Sequence, residues 1–63
     1  MTNWIKAMTA VGMTRIRMDA ICAYQEKDDG SKLLVYTKDN SLFEIVEEIE
    51  ATINILDSEF GLN

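Results

Sequence analysis

The sequence predicts a small α+β fold: an antiparallel sheet of three or four strands arranged as a meander, with one C-terminal amphipathic helix across a face. Residues 32–46 alternate around a polar turn at residues 38–41, which is the pattern of a β-hairpin. Apolar residues then recur at intervals of four, three and four, the period of one helix face, at Ile49, Ile53, Leu56 and Phe60. At 63 residues, the chain is expected to form a single domain, 1–63.

The N-terminal part predicts a second hairpin. Residues 4–10 alternate loosely, and residues 14–18 alternate cleanly. Gly12 lies between the two runs, where a hairpin turn requires a positive φ. The side chains expected to face the core are Ile16 and Met18, and those expected to face solvent are Arg15 and Arg17.

The middle of the chain allows two interpretations. Asp19 and Ala20 interrupt the alternation, and residues 21–25 resume an apolar run. A bend or bulge at Asp19 would let one long strand serve two edges of the sheet, and this interpretation is favoured. A helix over residues 18–26 is the alternative, since the segment is rich in helix-forming residues. The polar loop at residues 26–31 ends the run, and its acids lack the spacing of a calcium site.

Residues 41–46 are compatible with either a strand or a helix. Ser41 and Glu44 match a capping box, which would start a helix at Ser41. Phe43 and Ile45 flank Glu44 with the period of a strand, and the short preceding turn would pair that strand with residues 33–37. The strand is favoured on topology, with the helix left open.

From Glu47 onward the sequence predicts a helix. Glu47, Glu48 and Glu50 would occupy its first turn, where the helix dipole favours anions. Gly61 lies where such a helix stops. Ile55 falls about 120° from the apolar stripe, because successive residues are turned by about 100°. It is therefore expected on the helix surface, where it suits an intermolecular contact.

The charge is unevenly distributed. The net charge is −5, with six bases and four acids through Lys38, and seven acids and no base from Asp39 onward. An acidic protein is disfavoured as a general nucleic-acid binder, because such affinity comes from Lys and Arg neutralising phosphates. No apolar run approaches the roughly 20 residues of a membrane span, and no secretion signal is evident. With the single Cys22, these features predict a cytoplasmic protein.

An Asp-x-Ile motif near the middle is followed by a loop, a β run, a polar turn and an apolar-x-apolar-x-Glu pattern that leads into the helix. The residues of this pattern are Asp19, Ile21, Tyr24, Leu34, Tyr36, Thr37, Phe43, Ile45, Glu47, Ile49 and Glu50. The pattern covers about two-thirds of the chain, residues 16–53, and resembles the FlbD-like (SwrD) family of small flagellar-associated proteins and related phage or bacterial modules of unassigned role. The resemblance implies a short β-meander with a C-terminal helix. A weaker likeness is to the strand-strand-helix unit of LytTR-type DNA-binding domains, which need basic loops.

The sequence predicts no catalytic, cofactor-binding or metal-binding residues, and so no enzyme. The glutamates at 44, 47, 48 and 50 fit a solvated helix face better than an acid–base pair. A catalytic Cys22 would need a base to form the thiolate, and the chain has no histidine. Cys22 is therefore expected to be a small core residue.

These features favour a non-enzymatic protein-interaction or assembly module that forms homo-oligomers, with an unidentified protein partner as a further option. At this length one core barely offsets the loss of conformational entropy, and neither a disulfide within the chain nor a structural metal is expected to help. The alternative is a small nucleic-acid-associated regulatory protein. The residues predicted at the interface are Trp4, Met8, Arg15, Arg17 and Ile55.

Two features support that interface. Met1 and Met13 add apolar surface beside Trp4 and Met8. Lys6, Arg15 and Arg17 form a basic stripe on one sheet face, which could pair with the acidic helix of a neighbouring subunit. Such pairing is the self-complementary contact that symmetric dimers use.

Overall fold

The computed structural model describes residues 3–62, and Met1 therefore lies outside the described residues. Five strands, one 3₁₀ turn and one helix make up this part of the chain. Their bounds are β1 Trp4–Thr9, β2 Gly12–Arg17, the 3₁₀ turn Met18–Ala20, β3 Ile21–Lys27, β4 Lys32–Thr37, β5 Leu42–Ile45 and α1 Ile49–Glu59. The α+β fold is confirmed, with five strands where the sequence predicted three or four.

The strands form one antiparallel sheet in the order β2-β1-β5-β4-β3. β3, β4 and β5 are a meander, as predicted, but the β1–β2 hairpin joins that meander through β5, so the sheet as a whole is not a simple meander. The junction is short. Thr9 lies opposite Ile45, and the flanking Val46 N–H donates to the Met8 carbonyl at 2.9 Å.

The two edge strands, β2 and β3, are consecutive in the chain. In a flat sheet, strands four positions apart lie about 19 Å from each other. The chain from Arg17 to Ile21 reaches at most about 14 Å. The sheet therefore coils, so that its edges approach at the 3₁₀ turn. The prediction of a single strand bent at Asp19 is wrong, because the 3₁₀ turn ends β2 and β3 begins after it. The prediction that this segment forms both edges of the sheet is confirmed, since β2 and β3 are the two edge strands.

The core lies between the concave inner face of the sheet and α1. Leu33, Val35 and Ile45 of the sheet and Leu56 of α1 are fully buried. Ile5, Ala7, Ile16, Met18 and Ile21 complete this cluster, so the inward direction predicted for Ile16 and Met18 is confirmed. Because α1 covers only the inner face, the opposite face of the sheet, its outer face, has no element packed on it among the described residues.

Residues 42–45 form a strand, as favoured from the sequence. The helix begins at Ile49, two residues later than predicted, because Glu48 adopts a left-handed conformation with φ +54° that turns the chain from β5 into α1. Of the three glutamates expected in the first helical turn, only Glu50 lies there. Gly61 follows the helix with φ +71°, in agreement with the predicted stop.

Candidate interaction surface

The outer face of the β1–β2 hairpin gathers four of the five predicted interface residues. Three cross-strand pairs form this outer hairpin face: Trp4–Arg17, Lys6–Arg15 and Met8–Met13. Their direction follows from strand geometry, because alternate residues of a strand point to opposite faces and the intervening Ile5 and Ile16 are buried. The outward direction predicted for Arg15 and Arg17 is confirmed.

The outer hairpin face is apolar as well as basic. Trp4 is 61% exposed and Met13 is 50% exposed, whereas Ile5 and Ile16 on the other face of the same strands are 6% and 3% exposed. The Trp4 indole and the Met13 thioether lie at opposite ends of this face, on either side of the Lys6–Arg15 pair, and add little to the core. Large exposed apolar side chains grouped on one face are typical of a contact with another molecule.

Lys6 and Arg15 lie directly opposite each other across the hairpin. Side chains in such pairs have Cβ atoms about 5 Å apart, and like charges there destabilise the sheet. Within residues 3–62, neither of these two cations forms an ion pair, whereas Arg17 pairs with Asp19 at 3.0 Å between Nε and Oδ1. The fold therefore carries an unfavourable positive pair that it does not neutralise.

A cleft of about 340 Å³ runs between β2 and the β4–β5 turn. The side chains that decide its character are Arg15, Arg17, Lys38, Asp39, Ser41 and Phe43. Hydrogen bonds from the Thr37 hydroxyl and from Ser41 lower the pKa of Asp39. The carboxylate is thus already engaged within its own turn, at 3.2 Å from the Ser41 amide nitrogen. The cleft therefore contains three cationic side chains and one carboxylate, that of Asp39, which is hydrogen-bonded within its own turn.

The outer face of β4 and β5 adds apolar residues that the sequence analysis did not assign to an interface. Tyr36 lies opposite Leu42, and Leu42 is 53% exposed. Val11, in the β1–β2 turn, is 94% exposed. The alternation of residues 33–37 already indicated that every second side chain faces away from the core. It did not indicate which of the two faces the helix covers.

Ile55 is not part of the outer hairpin face. It lies on α1, across the sheet from that face, and is 50% exposed, as its displacement from the apolar stripe predicted. Glu59 follows Ile55 by one helical turn, and its carboxylate accepts hydrogen bonds from the Asn3 amide at 3.2 and 3.3 Å. Asn3 immediately precedes β1. This side of the helix therefore adjoins the start of β1.

The other side of α1 is fixed to β3. The Tyr24 hydroxyl donates to Asp57 Oδ1 at 2.6 Å, and the Tyr24 ring packs against Phe60 with centroids 6.2 Å apart. Burial raises the pKa of Tyr24 to about 12, with further increases from the hydrogen bond to Asp57 and from the charge of that carboxylate. These contacts hold the helix in place across the inner face.

Cys22 is exposed, so its assignment as a small core residue is wrong. Ile21 faces the core, so strand alternation turns the next residue, Cys22, away from it; the pairing shift between Ile21 and Ala23 accompanies the exposure of Ala23 as well. A shallow cleft beside it is lined by Ala23, Tyr36, Thr37, Asn40 and Ser41, none of which is a base suited to forming a thiolate.

The acidic residues within 3–62 lie mostly on α1, the turns and the strand ends. They do not form a group of three or more potential metal ligands. In the same part of the chain, no helix has both the length and the apolar character needed to cross a membrane.

Comparisons with protein-family models, with curated proteins and with solved structures found no match to the chain. The likeness to the FlbD-like family therefore stays a prediction.

Proposed function

We propose that the protein is a non-enzymatic interaction module that self-associates through its outer hairpin face. The observation that carries this proposal is the exposure of Trp4, 61%, and Met13, 50%, at the two ends of a hairpin face that α1 does not cover. Burial of a Trp or Met side chain contributes about 1.5–3 kcal/mol or more when it leaves water completely. The single folded chain does not gain this free energy, because both side chains remain largely in water.

The chemistry of the surface supports a binding role over catalysis. The carboxylate in the basic cleft, Asp39, has a lowered pKa, which makes it a weak base at neutral pH. The thiol of Cys22 has no base in the cleft beside it. Both groups lack the partners that a general acid–base or nucleophilic mechanism requires.

Fluorescence of Trp4 tests the proposal directly, since it is the sole tryptophan of the chain. Association through the outer hairpin face predicts blue-shifted emission at high protein concentration and a red shift, with increased acrylamide quenching, on dilution. Met13→Glu should shift this transition to higher concentration, because it places a charge inside the contact. Leu62→Glu is the matched control: Leu62 is 66% exposed but lies outside the face. Emission that is red and fully quenchable at every concentration would refute the proposal.

One observation favours a second function, a small nucleic-acid-associated regulator. Arg15, Arg17 and Lys38 converge on one cleft, and Trp4 offers an aromatic surface nearby on which a base could stack. The net charge of −5 opposes this role. Binding of a labelled oligonucleotide that weakens steeply with salt and is lost in Arg15→Glu would support it.

We further propose a bacterial or phage origin and a cytoplasmic location. The resemblance to FlbD-like proteins supports a bacterial or phage accessory protein. A lone, exposed thiol at Cys22 fits the reducing conditions of the cytoplasm.

A further inference from the structure

The outer hairpin face carries positive charge, and the same chain carries an acidic surface that could cover it. No basic residue occurs from Asp39 to the end of the sequence, and seven acids do. Two of them flank Ile55 along the helix: Glu59 follows it by one turn, and Glu48 immediately precedes α1, where its carbonyl accepts a hydrogen bond from the Thr52 N–H at 2.9 Å. We call Glu48, Ile55 and Glu59 the helix flank.

The helix flank matches the outer hairpin face in composition. Both have exposed apolar side chains, Trp4 at 61% and Met13 at 50% on the hairpin and Ile55 at 50% on the helix. Each also carries charge of one sign: Lys6 and Arg15 on the hairpin, and the two glutamates on the helix. The positive pair has no ion-pair partner among residues 3–62. The charges that would neutralise it are therefore available on a second copy of the chain.

We infer that the outer hairpin face of one copy binds the helix flank of a second copy. This inference rests on the proposed self-association and identifies the surface that takes part in it. Contact between two outer hairpin faces is disfavoured, because it would bring Lys6 and Arg15 of both copies together and repel. Contact with the helix flank places cations against carboxylates and Trp4 against Ile55.

The relative position of the two surfaces predicts a closed dimer. The hydrogen bonds from Asn3 to Glu59 bring the end of α1 next to the start of β1, so the two surfaces, which face opposite sides of the sheet, are nearest to each other at this end of the molecule. One two-fold axis near this junction can then form the hairpin-to-flank contact twice. Such a contact is isologous and closes at two copies.

Charge reversal tests the inference. The hairpin-reversed variant is Lys6→Glu/Arg15→Glu, and the helix-reversed variant is Glu48→Lys/Glu59→Lys. In each variant alone, the two surfaces carry charges of the same sign and repel each other. Each variant should therefore be monomeric at concentrations where the unmodified chain is a dimer. An equimolar mixture restores opposite charges in both contacts, so it should regain a mass near twice the 7.2 kDa chain by light scattering.

The control is Lys27→Glu, which reverses one charge, half the change of the hairpin-reversed variant, at the end of β3 on the opposite edge of the sheet. It should leave the mass unchanged. Circular dichroism of each variant verifies folding.

The possible outcomes distinguish failure of the hairpin-to-flank contact from failure of the proposed self-association. If the unmodified chain is an oligomer and the helix-reversed variant keeps the same mass, the hairpin-to-flank contact is wrong while self-association stands. A mixture that fails to associate, although each folded variant is monomeric, also overturns the contact. If the unmodified chain is monomeric at every concentration, both fail.

Discussion

The inner and outer faces of the β1–β2 hairpin are built from the same two strands and differ sharply in what they do. Ile5 and Ile16 lie opposite each other on the inner face and are almost completely buried. On the outer face, Lys6 and Arg15 lie opposite each other and repel, beside a mostly exposed Trp4. The inner face accounts for stability. The outer face has a composition that folding does not explain, and this difference locates the interaction surface.

Truncation of the inner face should have the largest effect on stability. Leu33 is fully buried at the centre of the core, so Leu33→Ala should lower the free energy of unfolding by about 2–5 kcal/mol. Urea unfolding followed by circular dichroism measures this. In a domain of 63 residues such a loss approaches the whole stability. A cost below about 1 kcal/mol would contradict the position of the core.

The contact that fixes α1 to the inner face should have an intermediate effect. Tyr24→Phe removes the hydrogen bond to Asp57 and should cost about 1 kcal/mol at neutral pH. The folded-state pKa of Tyr24, about 12, lies above the ordinary value of 10.0, so the folded state holds its proton more tightly. The stabilisation is therefore complete below pH 10 and is lost as the pH rises through about 12.

The measurement is the free energy of unfolding across this range of pH. The unmodified chain should lose stability more steeply above pH 10 than Tyr24→Phe does. Equal slopes for the two chains would show that Tyr24 titrates normally and that the Asp57 contact is not maintained in solution.

Charge reversal on the outer face should have the smallest effect on stability and the opposite sign. Lys6→Glu converts a repulsive cross-strand pair with Arg15 into an attractive one, which should raise the free energy of unfolding by about 0.2–1 kcal/mol. The same change should weaken self-association. If Lys6 has no role in self-association, Lys6→Glu would raise the free energy of unfolding without changing the mass of the oligomer.

The sequence predicted the inner face better than the outer one. Period-two alternation identified Ile16 and Met18 as core residues, and the favoured strand at residues 41–46 forms because β5 bonds to both β4 and β1, which outweighs the local capping-box pattern. The number of strands could not be predicted, because the 3₁₀ turn at Met18–Ala20 contains neither glycine nor proline to indicate a break.

The candidate surface was predicted in part. Alternation placed Trp4, Met8, Arg15 and Arg17 on one face, and the helical period placed Ile55 on the helix surface. The exposure of Cys22 was missed because its apolar neighbours, Ile21 and Ala23, indicated a core position, whereas β3 begins with Ile21 facing the core and therefore turns Cys22 outward. The exposure of Leu42 was missed because only the packed structure shows which sheet face the helix covers.

Light scattering on a sizing column, over a range of concentrations of the unmodified chain and of Trp4→Asp, tests whether the outer hairpin face mediates self-association. We expect the unmodified chain to have a mass that is a multiple of 7.2 kDa at high concentration and that falls on dilution. Trp4→Asp should be folded, similarly stable and monomeric throughout. A monomeric unmodified chain at every concentration, or a Trp4→Asp variant with undiminished mass, would contradict it.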